Sequence, residues 1–281
     1  MLAEAYYADR IDEPTWRSEA SQLEGRDIGS DERHEFVRRL LVALGDEHSS
    51  FFTPSERGPT ANGLYLPPTG EVDDQGVGRL RLPGLATGPE DTDTDQGYVA
   101  EAHEVLTGDA CGWVLDLRGD NGGNLFAMLV AIGPLVGPGP AVSYRHRNGD
   151  TDTYDITSTG SLIAEDGTIL AQPASTARFT PDLPIAVLQG PSTASAGEGV
   201  VMAMRGRGNV VSLGRPTAGI PTGNSVFEFT DGSAVNLTVA IGIDNEGVAH
   251  EGPIPPDITT DTPDTDAATW LLNQPNCQTP Q

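Results

Sequence analysis

Three short stretches hold the residue types from which hydrolytic chemistry could be built. The first is LGDEHSSFFTP (44–54), where His48 follows a helix that Gly45 should end. An imidazole titrates close to neutral pH and suits general-base work, although a lone loop histidine is equally at home as a plain polar residue. The second is VLDLRGDNGGN (114–124), an apolar run that breaks into glycines. Gly122 and Gly123 can adopt backbone angles closed to other residues, so either N–H could face a cleft; a simple tight turn is the alternative. The third is IAVLQGPSTASAGEGVVMAM (185–204), in which Ser195 stands at the expected start of a helix among small residues. Its hydroxyl would be uncrowded, and the N–H of Ala196 lies in the turn whose donors have no intrahelical partner, as an oxyanion site needs. Ser195 and Glu198 also fit a capping box, a purely structural role. Gly197 and Gly199 tilt the balance, because each costs about 1 kcal/mol against alanine in a helix and points to something approaching the backbone closely.

Composition removes other chemistries. All 16 basic residues are arginine, so lysine-dependent P-loops, Schiff bases and Ser–Lys dyads are excluded. No G-x-G-x-x-G supports a dinucleotide site. The net charge of −25 would repel phosphate backbones, which excludes nucleic acid as a natural partner. Cys111 and Cys277 lack metal or redox spacing; they make one disulfide at most, or Cys111 is simply a buried small residue. Asp91, Asp93 and Asp95 read D-x-D-x-D, but Gly97 and Glu101 each miss the calcium-loop positions by one residue, so a solvated loop is the alternative. The opening MLAEAYYADRIDEPTW has no leader pattern, and no membrane-spanning run of 18 apolar residues occurs. A full-length chain of this kind would stay in the cytoplasm, whereas a mature exported form would be extracytoplasmic.

The elements that must position these stretches follow from periodicity. Phe36, Val37, Leu40, Leu41 and Leu44 recur at helical spacing, entered at Ser30, and the segment from Leu2 to Gly45 reads as a helical unit. Proline and glycine punctuate 54–68 as a linker or irregular meander. VGRLRL (77–82), GWVLDL (112–117), 185–189 and 210–213 read as strands, with helices around 98–106, at 124–132 and after Ser195. Strand, helix, strand order implies parallel crossovers and an α/β fold. Asp231-Gly232 before AVNLTVAI (234–241) predicts a hairpin. The expected organisation is a helical N-terminal unit (1–56), a core (57–260) and an acidic tail with a short helix (261–281).

Taken together, LVALGDEHSSFFTP, GWVLDLRGDNGG, PSTASAGE, GRPTAGIPTGN with the hairpin, and GPIPPD resemble, in order, the C-terminal-processing, tail-specific and tricorn-core serine peptidases, including the nisin-resistance type. The resemblance implies a Clp protease/crotonase-like β/α core and hydrolysis of extended peptide or unfolded protein substrates, with no cofactor or metal. It implies Ser195 as nucleophile and Ala196 N–H with Gly122 or Gly123 N–H as oxyanion hole. In the processing branch a lysine base falls in the segment matching Thr217–Pro221, where this chain has Ile220; the histidine-base branch places its base at His48. A supporting glutamate would fall near Glu251, within one residue. The stretch from Ser49 to Val114 is too short to add a PDZ domain to its own strand and helix. A member of the same fold that binds a ligand or peptide without cleaving it is the rival reading.

Overall fold

The computed structural model describes residues 3–23, 30–56, 65–88, 91–176, 178–180 and 182–278. Most of the expected linker, at 57–64, lies outside them. The chain divides into two compact units: residues 1–61, 144–151 and 222–241 form one, and residues 62–143, 152–221 and 242–281 the other.

In the first unit, helices Glu13–Leu23 and Ser30–Leu44 form where apolar residues were spaced by three and four. Leu40, Leu41 and Leu44 are buried, Val42 faces out, and Gly45 closes the second helix at φ +66°. The hairpin is present. Strand Thr222–Glu228 pairs antiparallel with strand Ala234–Ile243, and Asp231 Oδ1 accepts from both N–H and hydroxyl of Ser233 to shape the turn. Strand Ser50–Phe52 adds to the other edge of Ala234–Ile243, in the register Ser50↔Asn236 to Phe52↔Ala234. Ala234–Ile243 is buried at both kinds of position, more than its alternating sequence implied.

The second unit is built on a six-stranded sheet. Its order is Ile258–Thr259, Val210–Gly214, Ile185–Gln189, Gly112–Asp116, Val77–Arg81 and Thr69–Val72; only the last pairing is antiparallel. The central strands Gly112–Asp116 and Ile185–Gln189 are buried at every residue. Helices covering both faces of a parallel sheet require such unbroken apolar runs. Helix Pro263–Leu272 covers one face: Ala267 and Leu271 pack with Val77, Val114, Ala186, Leu188 and Leu213. Cys277 just beyond it is disulfide-bonded to Cys111, which fastens the end of the chain to the start of a central strand. Helices Thr92–Val105, Leu125–Ala131 and Ala196–Met204 bury Tyr98, Leu129 and Val200. This is the α/β fold that the crossover pattern implied.

Candidate active site

Strands Gly112–Asp116 and Ile185–Gln189 run side by side, with Asp116 opposite Leu188, so the turns that follow them emerge together. Ligand sites of open parallel sheets lie outside such carboxyl ends. The two turns are sewn to each other. Leu117 N–H donates to Leu188 O, Thr193 Oγ1 donates to Leu117 O at 2.9 Å, and Ala194 N–H donates to Asp120 O at 2.9 Å.

Ser195 ends the second turn and begins helix Ala196–Met204 with φ +52° and ψ −116°. It is the one non-glycine residue with positive φ among the described residues. Side chains avoid this region at a cost of about 1–3 kcal/mol, and it persists where surrounding structure imposes it, as on sharp strand-to-helix turns that expose a hydroxyl. The serine and glutamate of a capping box are both in place, and Glu198 Oε2 accepts the Ser195 N–H at 2.9 Å.

Gly122 and Gly123 follow at φ +97° and +126°. A side-chain carbon on Gly122 would lie 2.8 Å from Ser195 Cβ and 3.2 Å from Ala196 N, so this turn passes directly beside the serine. One on Gly123 would lie 2.0 Å from Leu85 O, which closes that position to any other residue. The two amides differ in use. Gly122 N–H donates to Asp120 Oδ1 at 3.0 Å, whereas no hydrogen bond from Gly123 N–H or Ala196 N–H occurs among the described residues. Gly123 is exposed. Beyond the glycines, Asn124 Oδ1 accepts from Phe126 and Ala127 N–H and its amide donates to Asp95 Oδ2 at 2.8 Å, which fixes the exit into helix Leu125–Ala131. Asp95 also accepts from Thr87 Oγ1, so it turns inward, and no cluster suited to a metal occurs among the described residues.

Glu198 is fully buried and accepts four hydrogen bonds: Ser195 N–H and Ile220 N–H at Oε2, both 2.9 Å, and Thr217 Oγ1 and Gly219 N–H at Oε1, 2.5 and 2.9 Å. All four partners donate, so both oxygens act as acceptors, the arrangement of a carboxylate. Burial, the larger effect, leaves its pKa raised, with the four donors pulling against it. One side chain thus ties the serine to the segment Thr217–Ile220.

In the first unit, His48 stands in a loop that Asp46 organises: Asp46 Oδ1 accepts from the N–H of His48 and Ser49 and from Thr238 Oγ1. His48 Nδ1 lies 2.6 Å from Thr222 Oγ1. The direction of that bond follows from its neighbours. Asn224 Nδ2 donates to His48 O, which turns Asn224 Oδ1 toward Thr222, and Thr222 Oγ1 donates to it at 3.3 Å. With its hydrogen given to Asn224, Thr222 receives one from Nδ1–H, leaving Nε2 with a lone pair. Burial lowers the His48 pKa, against the opposing pull of Asp46, and so favours the neutral ring. Glu251 is exposed and makes no hydrogen bond or ion pair among the described residues.

Sequence reasoning did not single out Thr222, Asn224 or Asp120, nor the anchoring role of Glu198. Thr222 is 174 residues from His48 and carries no local signal. Gly197 was the available clue to Asp120, since a glycine in a first helical turn marks a close approach.

A serine in strained geometry at a helix start, beside a double-glycine turn over the ends of parallel strands, is an arrangement that acyl-transfer chemistry can use. The chain belongs to peptidase family S41, whose model matches residues 76–260. It is therefore a serine-type peptidase, and its substrates are proteins or peptides. It is 25% identical over 244 residues to the nisin-resistance protein of Lactococcus lactis subsp. lactis, covering 85% of this chain and 73% of that one. It is 31% identical over 166 residues to the chloroplastic carboxyl-terminal-processing peptidase 2 of Arabidopsis thaliana, covering 56% of this chain and 29% of that longer one. Among solved structures, a lipoprotein from Streptococcus agalactiae superposes with a TM-score of 0.77 at 23% identity, over 92% of this chain and 87% of that one, and shares the fold.

Proposed function

We propose that the protein is an endopeptidase in which Ser195 attacks a peptide carbonyl and His48 takes its proton. The reading rests above all on the conformation of Ser195, which departs from the extended backbone usual at an N-cap. His48 Nε2 accepts the hydroxyl proton and returns it to the leaving amine, with Thr222 Oγ1 at Nδ1 holding the tautomer that the step needs. That orienting role was expected of Glu251; the bond at Nδ1 supports Thr222 instead. The oxyanion is received by Ala196 N–H and Gly123 N–H, because Gly122 N–H is occupied by Asp120. Residues 57–260 would form the peptidase core. Substrates would be extended peptides, and the carboxyl-terminal-processing relatives favour recognition near a substrate's C-terminus.

The test is cleavage of a fluorogenic peptide library by the wild type, Ser195→Ala, His48→Ala and the double variant. Each single change should lower turnover by orders of magnitude, up to about 10⁶ as for a serine acting within such a unit, and the double change should add little. Undiminished cleavage by a folded Ser195→Ala or His48→Ala protein would contradict the mechanism.

A further inference from the structure

Asp120 is fully buried between the two turns that meet at the serine. Its main chain is committed on both sides, N–H to Leu117 O at 3.0 Å and C=O from Ala194 N–H at 2.9 Å. Its side chain faces two ways. Oδ1 accepts Gly122 N–H at 3.0 Å, whereas Oδ2 is buried with no hydrogen-bond partner in the protein. The carboxyl also lies against the first turn of the serine helix: a side-chain carbon on Gly197 would come within 2.8 Å of Asp120 Cγ. That contact is the close approach that the glycines of this turn foretold.

Glu198 makes the contrast. Both carboxyls are buried beside Ser195, but Glu198 has four donors and Asp120 has one. An anion stripped of water with a single donor is far costlier than the neutral acid, which leaves at most one weakly satisfied O–H. Two carboxyls in different surroundings therefore hold different protonation states.

We infer that Asp120 works as a neutral carboxylic acid and is a positioning residue: uncharged, it lets the turn Asp120–Gly123 pack on the first turn of the serine helix, turning Gly122 N–H inward and leaving Gly123 N–H outward. The role in catalysis rests on the Ser195 reading; the protonation state does not. Burial pushes the Asp120 pKa up to about 8, so the acid form holds through neutral pH and gives way above it. The ionisable groups around it do not offer a counter-charge. Tyr98 approaches from helix Thr92–Val105 with its hydroxyl donated to Pro83 O, Glu198 on helix Ala196–Met204 is engaged with Thr217–Ile220, and the guanidinium of Arg118, on the same turn, is bound to Asp116 and Asp264. Ionisation would set a bare negative charge beside the place where the oxyanion forms, which disfavours the reaction.

Two measurements test this on the intact chain and on Asp120→Asn, which keeps the Oδ1 acceptor and cannot ionise. The first follows the ¹³C carboxyl signal of Asp120, assigned by its loss in the variant, and the amide signals of Gly122, Gly123 and Ala196 from pH 5 to 10. Expected are a carboxyl midpoint near pH 8 and amide shifts that follow it in the wild type and are absent in Asp120→Asn. A midpoint below about pH 5, the range of an ordinary aspartate, would overturn the inference. So would amides that ignore a midpoint near 8. The second measures the rate of Ser195 labelling by a fluorophosphonate probe. One pH unit above a pKa leaves about a tenth of the acid form, so the wild-type rate should fall about tenfold from pH 7 to 9, while Asp120→Asn keeps its rate and the acid limb is unchanged. A merely structural Asp120 would lower the variant's rate evenly at every pH and leave the alkaline limb in place, which would overturn the positioning role. Absence of labelling at every pH, with the carboxyl and amide titrations as expected, would uphold the neutral acid and its hold on the turn and remove the Ser195 reading alone.

Discussion

At Ser195 the backbone carries the functional information. A serine at φ +52° and ψ −116° is held there by its surroundings, and glycine would hold the same angles without strain. Ser195→Gly should therefore unfold at a higher temperature than Ser195→Ala, by the equivalent of about 1 kcal/mol, measured as the difference in thermal midpoint. Equal midpoints would show that the serine turn stores nothing. The His48 tautomer gives a second expectation. Thr222→Val keeps the shape and removes the acceptor at Nδ1, so kcat should fall by about 10²-fold with KM little changed, as for loss of an interaction made in the transition state. In the wild type, burial lowers the His48 pKa and the neutral ring is the active form, so the acid limb of kcat/KM should have its midpoint below 6.5. Local pattern alone left His48 open to reading as a plain loop histidine and Ser195 as a capping serine; the ordered resemblance to a serine peptidase family is what singled them out. Thr222 and Asn224 were not legible, since what makes them matter is a hairpin register brought against a loop 174 residues away.

The elements were the most readable level. Strands Gly112–Asp116 and Ile185–Gln189 stand out as apolar runs of strand length, and the Asp231-Gly232 hairpin follows from its turn chemistry. What periodicity could not give is how the turns at the strand ends are joined, because hydrogen bonds such as Thr193 to Leu117 O depend on lateral order in the sheet. Glu198 shows the same limit: its capping arm to Ser195 N–H is local, whereas three of its four bonds reach Thr217, Gly219 and Ile220. Glu198→Gln replaces one acceptor oxygen by a donor and leaves two buried donors facing it. At about 1–3 kcal/mol for each unpaired group, folding stability should drop by roughly 2–5 kcal/mol in urea titration. A loss below about 0.5 kcal/mol would show that this network does not anchor the serine turn.

For the whole molecule, a charge of −25 with no lysine sets the response to salt. Like charges on the surface repel over a Debye length of about 10 Å at 0.1 M, shrinking to about 3 Å at 1 M. The thermal midpoint should rise with NaCl over that range; a flat or falling midpoint would show that self-repulsion is not a significant term. The same field bears on substrates, since peptides with basic residues would be drawn to the surface and acidic ones kept from it.

The proposed catalytic function depends on Ser195 being a nucleophile activated by His48. Incubating the intact protein with a fluorophosphonate probe and locating the adduct by mass spectrometry addresses that claim directly. The account predicts one label per chain, on Ser195, formed quickly in the wild type and lost in a folded His48→Ala protein. A label on another serine, or Ser195 labelling at an undiminished rate without His48, would contradict it.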